Sequence, residues 1–234
     1  MNRRLDEQIF MLSGGGVIAV TGAGGKTSLL VLLSRYCRDK RLRVLQTTTT
    51  KVQTPRWYDF GCDHVFFDDE VFHHEPKAGE IVFYGMTGSD DGKIHAPDQD
   101  AIGRLSASYD VTIIEADGAR RLPLKLHTAR DPVIPTFVTS VIAVMGLSSL
   151  GKRRADVCFG ERREGVVDVA YLQSLLNDDE GACKGFSPSR RCMVFCNQYE
   201  TLSAAEKTDV KRLSCEYPLL WGSVLENRLY DKRV

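Results

Sequence analysis

Residues 17–30 read "VIAVTGAGGKTSLL", and this stretch decides the fold. A short β-branched run over 17–21 predicts a buried strand. From Thr27 to about Arg38 the pattern predicts a helix, with Leu29, Leu30, Leu32 and Leu33 as its apolar face. Between them stand three glycines, a lysine and two hydroxyl residues. Glycines let successive N–H groups point inward, and a helix N-terminus adds partial positive charge, so the turn can cradle phosphate. Gly22, Ala23, Gly24, Gly25, Lys26, Thr27 and Ser28 are the expected nucleotide contacts. Lys26 would reach the β- and γ-phosphates, and the Thr27 hydroxyl would sit on Mg²⁺. Lys26 is expected to be exposed at the helix start, serving charge and not packing. The pattern G-x-x-x-x-G-K-[ST] is met in part, because its first position falls on Val20 and a glycine stands at Gly22 instead. The alternative is an ordinary glycine-rich turn between strand and helix.

Further apolar runs surround this unit. Residues 43–50, 64–67, 81–85, 111–118, 141–146 and 192–197 read as strands, most of them continuous rather than alternating. Helices are expected at 98–108, with Asp98 as N-cap, and near 165–177 and 203–215. "LLWGSVLENRL" closes the chain as a strand or a helix. Strands apolar on both faces and separated by helices imply an α/β fold: a three-layer, P-loop NTPase-like arrangement around a mostly parallel central sheet. The whole span 1–234 reads as a single nucleotide-binding domain. An irregular insertion covers about 51–100, and within it 86–100 reads as a loop or small hairpin.

In such sheets ligands bind beyond the carboxyl ends of the strands. "IIEADG" ends one strand with Glu115 and places Asp117 and Gly118 just after it. P-loop enzymes need a strand-end carboxylate to hold Mg²⁺ or order the attacking water. Glu115 and Asp117 are both candidates, and Gly118 can offer an N–H to the γ-phosphate. E-x-x-G resembles the corresponding motif of the P-loop class that includes nickel-insertion and signal-recognition GTPases. The catalytic candidates are therefore Lys26, Glu115 and Asp117, with Thr27 and Asp117 toward the metal. "FCNQYE" brings Asn197 and Glu200 to a late strand end, where GTPases carry N-K-x-D for guanine. Gln198 replaces the lysine, so a purine pocket is expected with guanine weakly favoured. "TTTTK" at 47–51 puts hydroxyls where they could face phosphate or metal, beside the alternative of strand propensity alone. Arg120, Arg121 and Lys125 could grip an anion, or form a solvated basic loop.

Taken together, "VTGAGGKTS", "VLQTTTTK", "IIEADGARRLPLKLHTARDPVIP", "VIAVMGLSSLGK" and "GACKGFSPSRRCMVFCNQYE" resemble the YqeC family in sequence and order. The resemblance covers about residues 12–215, and its most specific piece runs from Glu115 to Lys125. It departs from the family in the Arg130-Asp131 lead-in to Pro132. The resemblance implies an accessory protein for maturing selenium-dependent molybdenum hydroxylases or their cofactor. Its cofactor would be Mg²⁺ with GTP or ATP, and a molybdenum hydroxylase or cofactor-maturation protein would be its partner. The alternative is a small-molecule kinase or an ATP-dependent ligase acting on a cofactor intermediate.

Lys+Arg and Asp+Glu are equal at 31 each. Zero net charge argues against a broad nucleic-acid footprint and against a polybasic membrane anchor. No apolar run approaches the roughly 18 residues of a spanning helix. "MNRRLDEQIF" lacks the apolar core of a signal peptide, and seven cysteines without a scaffold spacing suit reduced thiols, so a cytoplasmic protein is expected. Cys192 and Cys196 read as small buried apolar residues, while Cys158 and Cys183 read as more accessible loop thiols. His73-His74 and His95 match no metal spacing, so no metal beyond nucleotide-borne Mg²⁺ is assigned.

Overall fold

The computed structural model describes residues 3–53, 59–87 and 93–234. Parts of the irregular segment, 54–58 and 88–92, lie outside the described residues. In chain order the first elements are β1 (Arg3–Arg4), α1 (Leu5–Ser13), β2 (Gly16–Gly22), α2 (Lys26–Asp39), β3 (Val44–Thr48) and β4 (Val52–Gln53). There follow β5 (His64–Phe66), β6 (Ile81–Tyr84), β7 (Met86–Thr87), β8 (Lys93–His95), α3 (Gln99–Ser106), β9 (Val111–Glu115) and β10 (Leu124–Lys125). The last are β11 (Ser140–Gly146), α4 (Arg154–Val157), β12 (Cys158–Phe159), α5 (Val169–Asn177), β13 (Arg191–Asn197), α6 (Ala204–Val210), β14 (Leu219–Ser223) and β15 (Arg228–Arg233).

Ten of these strands form one sheet in the order β1-β15-β14-β13-β11-β2-β9-β3-β6-β5. Every pairing from β14 to β5 is parallel, and only β15 runs against the rest, pairing antiparallel with β14 and with β1 at one edge. Side chains alternate across the sheet, so each strand feeds two cores. Ile18, Val20, Ile113, Ile142, Val144 and Phe195 pack on the face covered by α1 and α2. The opposite face packs against α3 through Ile102 and against α5 and α6 through Leu172, Leu175 and Val210. The result is the three-layer α/β arrangement that continuous apolar strands require.

The strands keep close to their expected bounds. Helices differ more at their ends. α3 starts where Asp98 accepts from the Asp100 N–H. α5 begins only after Asp168, whose carboxylate accepts from the Tyr171 N–H, so 165–168 is not helical. α6 stops at Val210 instead of 215. The chain ends in two antiparallel strands, β14 and β15. The segment 86–100 is partly sheet: β8 pairs with both β7 and β4. No helix among the described residues is long and apolar enough to cross a membrane.

Candidate functional site

The β2–α2 turn sits at the carboxyl end of the sheet. Gly24 and Gly25 adopt φ of 87° and 120°, which L side chains rarely take. Space forbids a side chain as well as geometry. A Cβ on Gly24 would lie 2.5 Å from Gly146 Cα and 2.7 Å from the Pro123 carbonyl. One on Gly25 would lie 2.4 Å from Asn197 Nδ2. The loop is thus pressed onto the end of β11, where the Ala23 N–H also reaches the Val144 carbonyl at 2.8 Å.

α2 opens with no side-chain cap and no acidic residue in its first turn. By contrast, α3, α5 and α6 are each capped by their own N-cap side chains, and α1 and α4, also uncapped, carry acidic residues in their first turns. An uncapped N-terminus leaves N–H groups and partial positive charge directed out of the helix, which favours an anion.

β9 lies next to β2, with Glu115 opposite Val20. This register brings two carboxylates to the loop. Thr27 Oγ1 donates to Glu115 Oε2 at 2.9 Å. The Lys26 ammonium donates to the Gly22 carbonyl at 2.7 Å and stands 3.0 Å from Asp117 Oδ1 and 3.9 Å from Glu115 Oε1. Lys26 is only 6% exposed, which corrects the expectation of an exposed lysine. Its chain curls back under the loop because two carboxylates and a carbonyl wait there.

The two acids differ in role. Glu115 lines the cavity; burial pushes its carboxyl up, against the pull of Lys26 and the Thr27 hydroxyl. Asp117 is fully buried behind the loop and does not reach the cavity wall. Its Oδ2 accepts from the Gly22 N–H and pairs with His127 Nε2, both at 2.8 Å, and Lys125 stands 3.4 Å away. Burial opposes its ionisation, but Lys26, His127 and Lys125 outweigh it and hold the carboxyl at about 2. Asp117 therefore anchors the loop backbone and the lysine together.

Lys125 is wholly inside, donating to the Gly118 carbonyl at 2.7 Å and pairing with Asp131. That corrects its reading as a surface anion grip. Arg120 and Arg121 do line the cavity, both at positive φ (49° and 63°). Strained arginines at a cavity rim are held there by the surrounding structure. His127 is a site residue that the sequence motifs do not single out; the signal for it is the Lys125-x-His127 spacing, which sets alternate residues to one side of an extended segment.

The threonines are mostly structural. Thr47, Thr48 and Thr49 donate to the carbonyls of Tyr84, Glu115 and Val133 at 2.8, 2.9 and 2.6 Å. They stitch the end of β3 to its neighbours, and only Thr50 and Lys51 of the run reach the cavity. Asn197 bridges loop and sheet: Nδ2 donates to the Gly24 carbonyl at 2.8 Å, and Oδ1 accepts from the Val224 N–H at 3.0 Å. Glu200 follows β13, with Oε2 buried and unpartnered. Neither Asn197 nor Glu200 lines the cavity.

That cavity holds about 980 Å³. Gly24 to Ser28 and Glu115 form its floor side, and Lys51, Lys93, Arg120, Arg121 and Arg130 contribute positive charge around it. Gly118 also faces it, and a Cβ there would meet almost open space. Its volume is at the upper end for small-molecule sites. Thr27 and Glu115 set two hard oxygen donors side by side on its wall, a donor set that suits Mg²⁺. Of the thiols, Cys158 is buried in β12 rather than accessible, and Cys192 and Cys196 are buried as expected.

Comparison with known proteins adds the family. The model of the family described as "YqeC protein" matches residues 18–161. A protein of Escherichia coli (strain K12), "Uncharacterized protein YqeC", is 33% identical over 199 residues, 78% of this chain and 76% of that protein. The chain belongs to the YqeC family.

Proposed function

We propose that this YqeC-family protein binds GTP or ATP with Mg²⁺ at the β2–α2 loop and cleaves the γ-phosphate. The cleavage serves the maturation of a selenium-dependent molybdenum hydroxylase or its cofactor. One observation carries the nucleotide reading: an uncapped helix N-terminus behind a positive-φ glycine loop, with a buried lysine and a strand-end carboxylate beside it. The client is inferred from family membership alone.

In this reading the loop N–H groups and the α2 N-terminus hold the phosphates. Lys26 shifts from Gly22 and Asp117 toward the β- and γ-phosphates. Asp117, still bonded to Gly22 and His127, keeps the loop shape while the lysine moves. Thr27 and Glu115 would hold Mg²⁺, which would supply charge neutralisation at the transferring phosphoryl group. Glu115, beside the metal, would orient the attacking water. The arginine and lysine wall, and a volume beyond one triphosphate, favour a second reading in which an anionic acceptor replaces water.

Calorimetric titration with Mg²⁺ plus ATP or GTP, followed by phosphate release, tests the proposal. Glu115→Gln should keep affinity within about tenfold, roughly 1.4 kcal/mol, while turnover drops much further. Failure of the wild-type protein to bind either nucleotide refutes the reading. Binding with consumption only when an acceptor is added selects the kinase or ligase form.

A further inference from the structure

A separate cluster of ligating groups sits at the other end of the sheet. His64 opens β5, His74 follows a 3₁₀ turn at Asp69–His73, and Glu80 directly precedes β6. β5 and β6 are parallel, so these residues lie at the amino ends of the strands. The glycine loop follows the carboxyl end of β2.

His64 Nε2 is 3.0 Å from Glu80 Oε1, and His74 Nε2 is 2.9 Å from Glu80 Oε2. One ligand atom from each residue falls within 4.8 Å of the others. The Glu80 side chain is 10% exposed, and its Oε2 also accepts from the Lys77 N–H at 2.8 Å. The ring of Phe66 packs against both imidazoles, with centroids 6.2 and 5.2 Å away. One carboxylate is thus fixed by the backbone and flanked by two imidazoles on an aromatic support.

We propose that His64, His74 and Glu80 form a three-ligand site for a divalent transition-metal ion of the Zn²⁺ type, with a solvent-facing position for water. Two imidazole nitrogens with one carboxylate oxygen suit zinc and its neighbours, whereas Mg²⁺ and Ca²⁺ prefer oxygen throughout. Bonds of about 2.0–2.1 Å at tetrahedral angles set ligand atoms about 3.3 Å apart. His64 stands near that distance from Oε1 and His74 from Oε2, so one carboxylate oxygen must turn between the two imidazoles to act as the shared ligand. The two imidazoles must draw closer, and His64, with a side chain 48% exposed, has the freedom to turn. Without metal, the same nitrogens lie within hydrogen-bond distance of the one carboxylate, so ligation would replace these contacts without rebuilding the backbone. The ion would tie edge strand β5, the 3₁₀ turn and the start of β6 together. The site is independent of the nucleotide reading.

The test uses the full chain, freed of metal by chelator and kept reduced, and titrated with Zn²⁺ against a chromophoric chelator. One tight equivalent is expected, weakened at least tenfold by His64→Ala and by Glu80→Gln. It should survive Cys183→Ser with Cys215→Ser. Co²⁺ bound in its place should show visible bands without a near-ultraviolet thiolate band. His64 is a surface position, so circular dichroism of His64→Ala should match the wild type. Absence of a tight equivalent in the wild type, its persistence in His64→Ala, or a thiolate band overturns the proposal.

Discussion

Replacing Lys26 by methionine removes a charge from a place where two others depend on it. The ammonium is 6% exposed, 3.0 Å from Asp117 and 3.9 Å from Glu115, and donates to the Gly22 carbonyl. Taking one partner from a buried ion pair costs about 3–5 kcal/mol. Methionine keeps most of the stem volume, so the added packing cost is small. Asp117 also keeps the Gly22 N–H, His127 and Lys125, and Glu115 can take up a proton. The expected loss is therefore near the lower bound, about 3 kcal/mol in the nucleotide-free protein. Urea unfolding followed by circular dichroism and by the fluorescence of Trp221, which is 2% exposed, measures it. The pH dependence has a definite sign. Glu115 is raised when folded, so the native state holds a proton that the unfolded chain releases above the ordinary carboxylate value. Stability from this group falls as pH rises through that window, and losing Lys26 raises the folded value further. The penalty should be larger at about pH 8 than at about pH 5.5. Adding Glu115→Gln should recover about 1–3 kcal/mol. A loss below about 0.5 kcal/mol, the scale of a surface change, or a penalty independent of pH, refutes the buried-pair argument.

Gly24→Ala should destabilise the fold and abolish Mg·nucleotide binding together, because its Cβ meets backbone atoms of Gly146 and Pro123 that cannot turn aside; unchanged melting and calorimetry would contradict this. Cys183 and Cys215 titrate together as a pair, in which the Cys215 thiol is lowered by its neighbour. Timed iodoacetamide labelling near neutral pH, read by mass spectrometry, should therefore find Cys215 the fastest of the seven cysteines, and Cys183→Ala should slow it about tenfold or more. Uniform labelling rates would defeat the thiol-pair reading.

The parts of the fold that rest on local pattern were readable in the chain. Continuous apolar runs announce a sheet buried on both faces, and Asp98 marks a helix start. α1 was not read, since "LDEQIFMLS" carries a weak apolar stripe and gains its helix by packing Leu5 and Ile9 into the core. α5 starts at Val169 and not near 165, because the Asp168 carboxylate caps the Tyr171 N–H and the preceding glycine and valines do not favour helix. The four threonines invite a phosphate reading on composition, yet three hydroxyls go to carbonyls on other segments: Tyr84 and Glu115 on the neighbouring strands, and Val133 in the loop before β11.

The same distinction governs the two acids of "EADG". Sequence spacing makes Glu115 and Asp117 equivalent strand-end carboxylates, because an extended chain sends i and i+2 to one side. The segment after Asp117 breaks that equivalence by folding back on itself. Leu124-Lys125 pairs with Cys158-Phe159, and this returns Lys125 and His127 to the buried side of Asp117. Glu115 gains no such cations beyond Lys26 and keeps a face on the cavity. A carboxylate surrounded by fixed donors holds structure, and one held by the Thr27 hydroxyl and a more distant Lys26, with a face on the cavity, remains available for chemistry. The division of labour therefore rests on a two-residue parallel pairing between segments over thirty residues apart, and changing Lys125 or His127 should disturb the glycine loop before it disturbs Glu115.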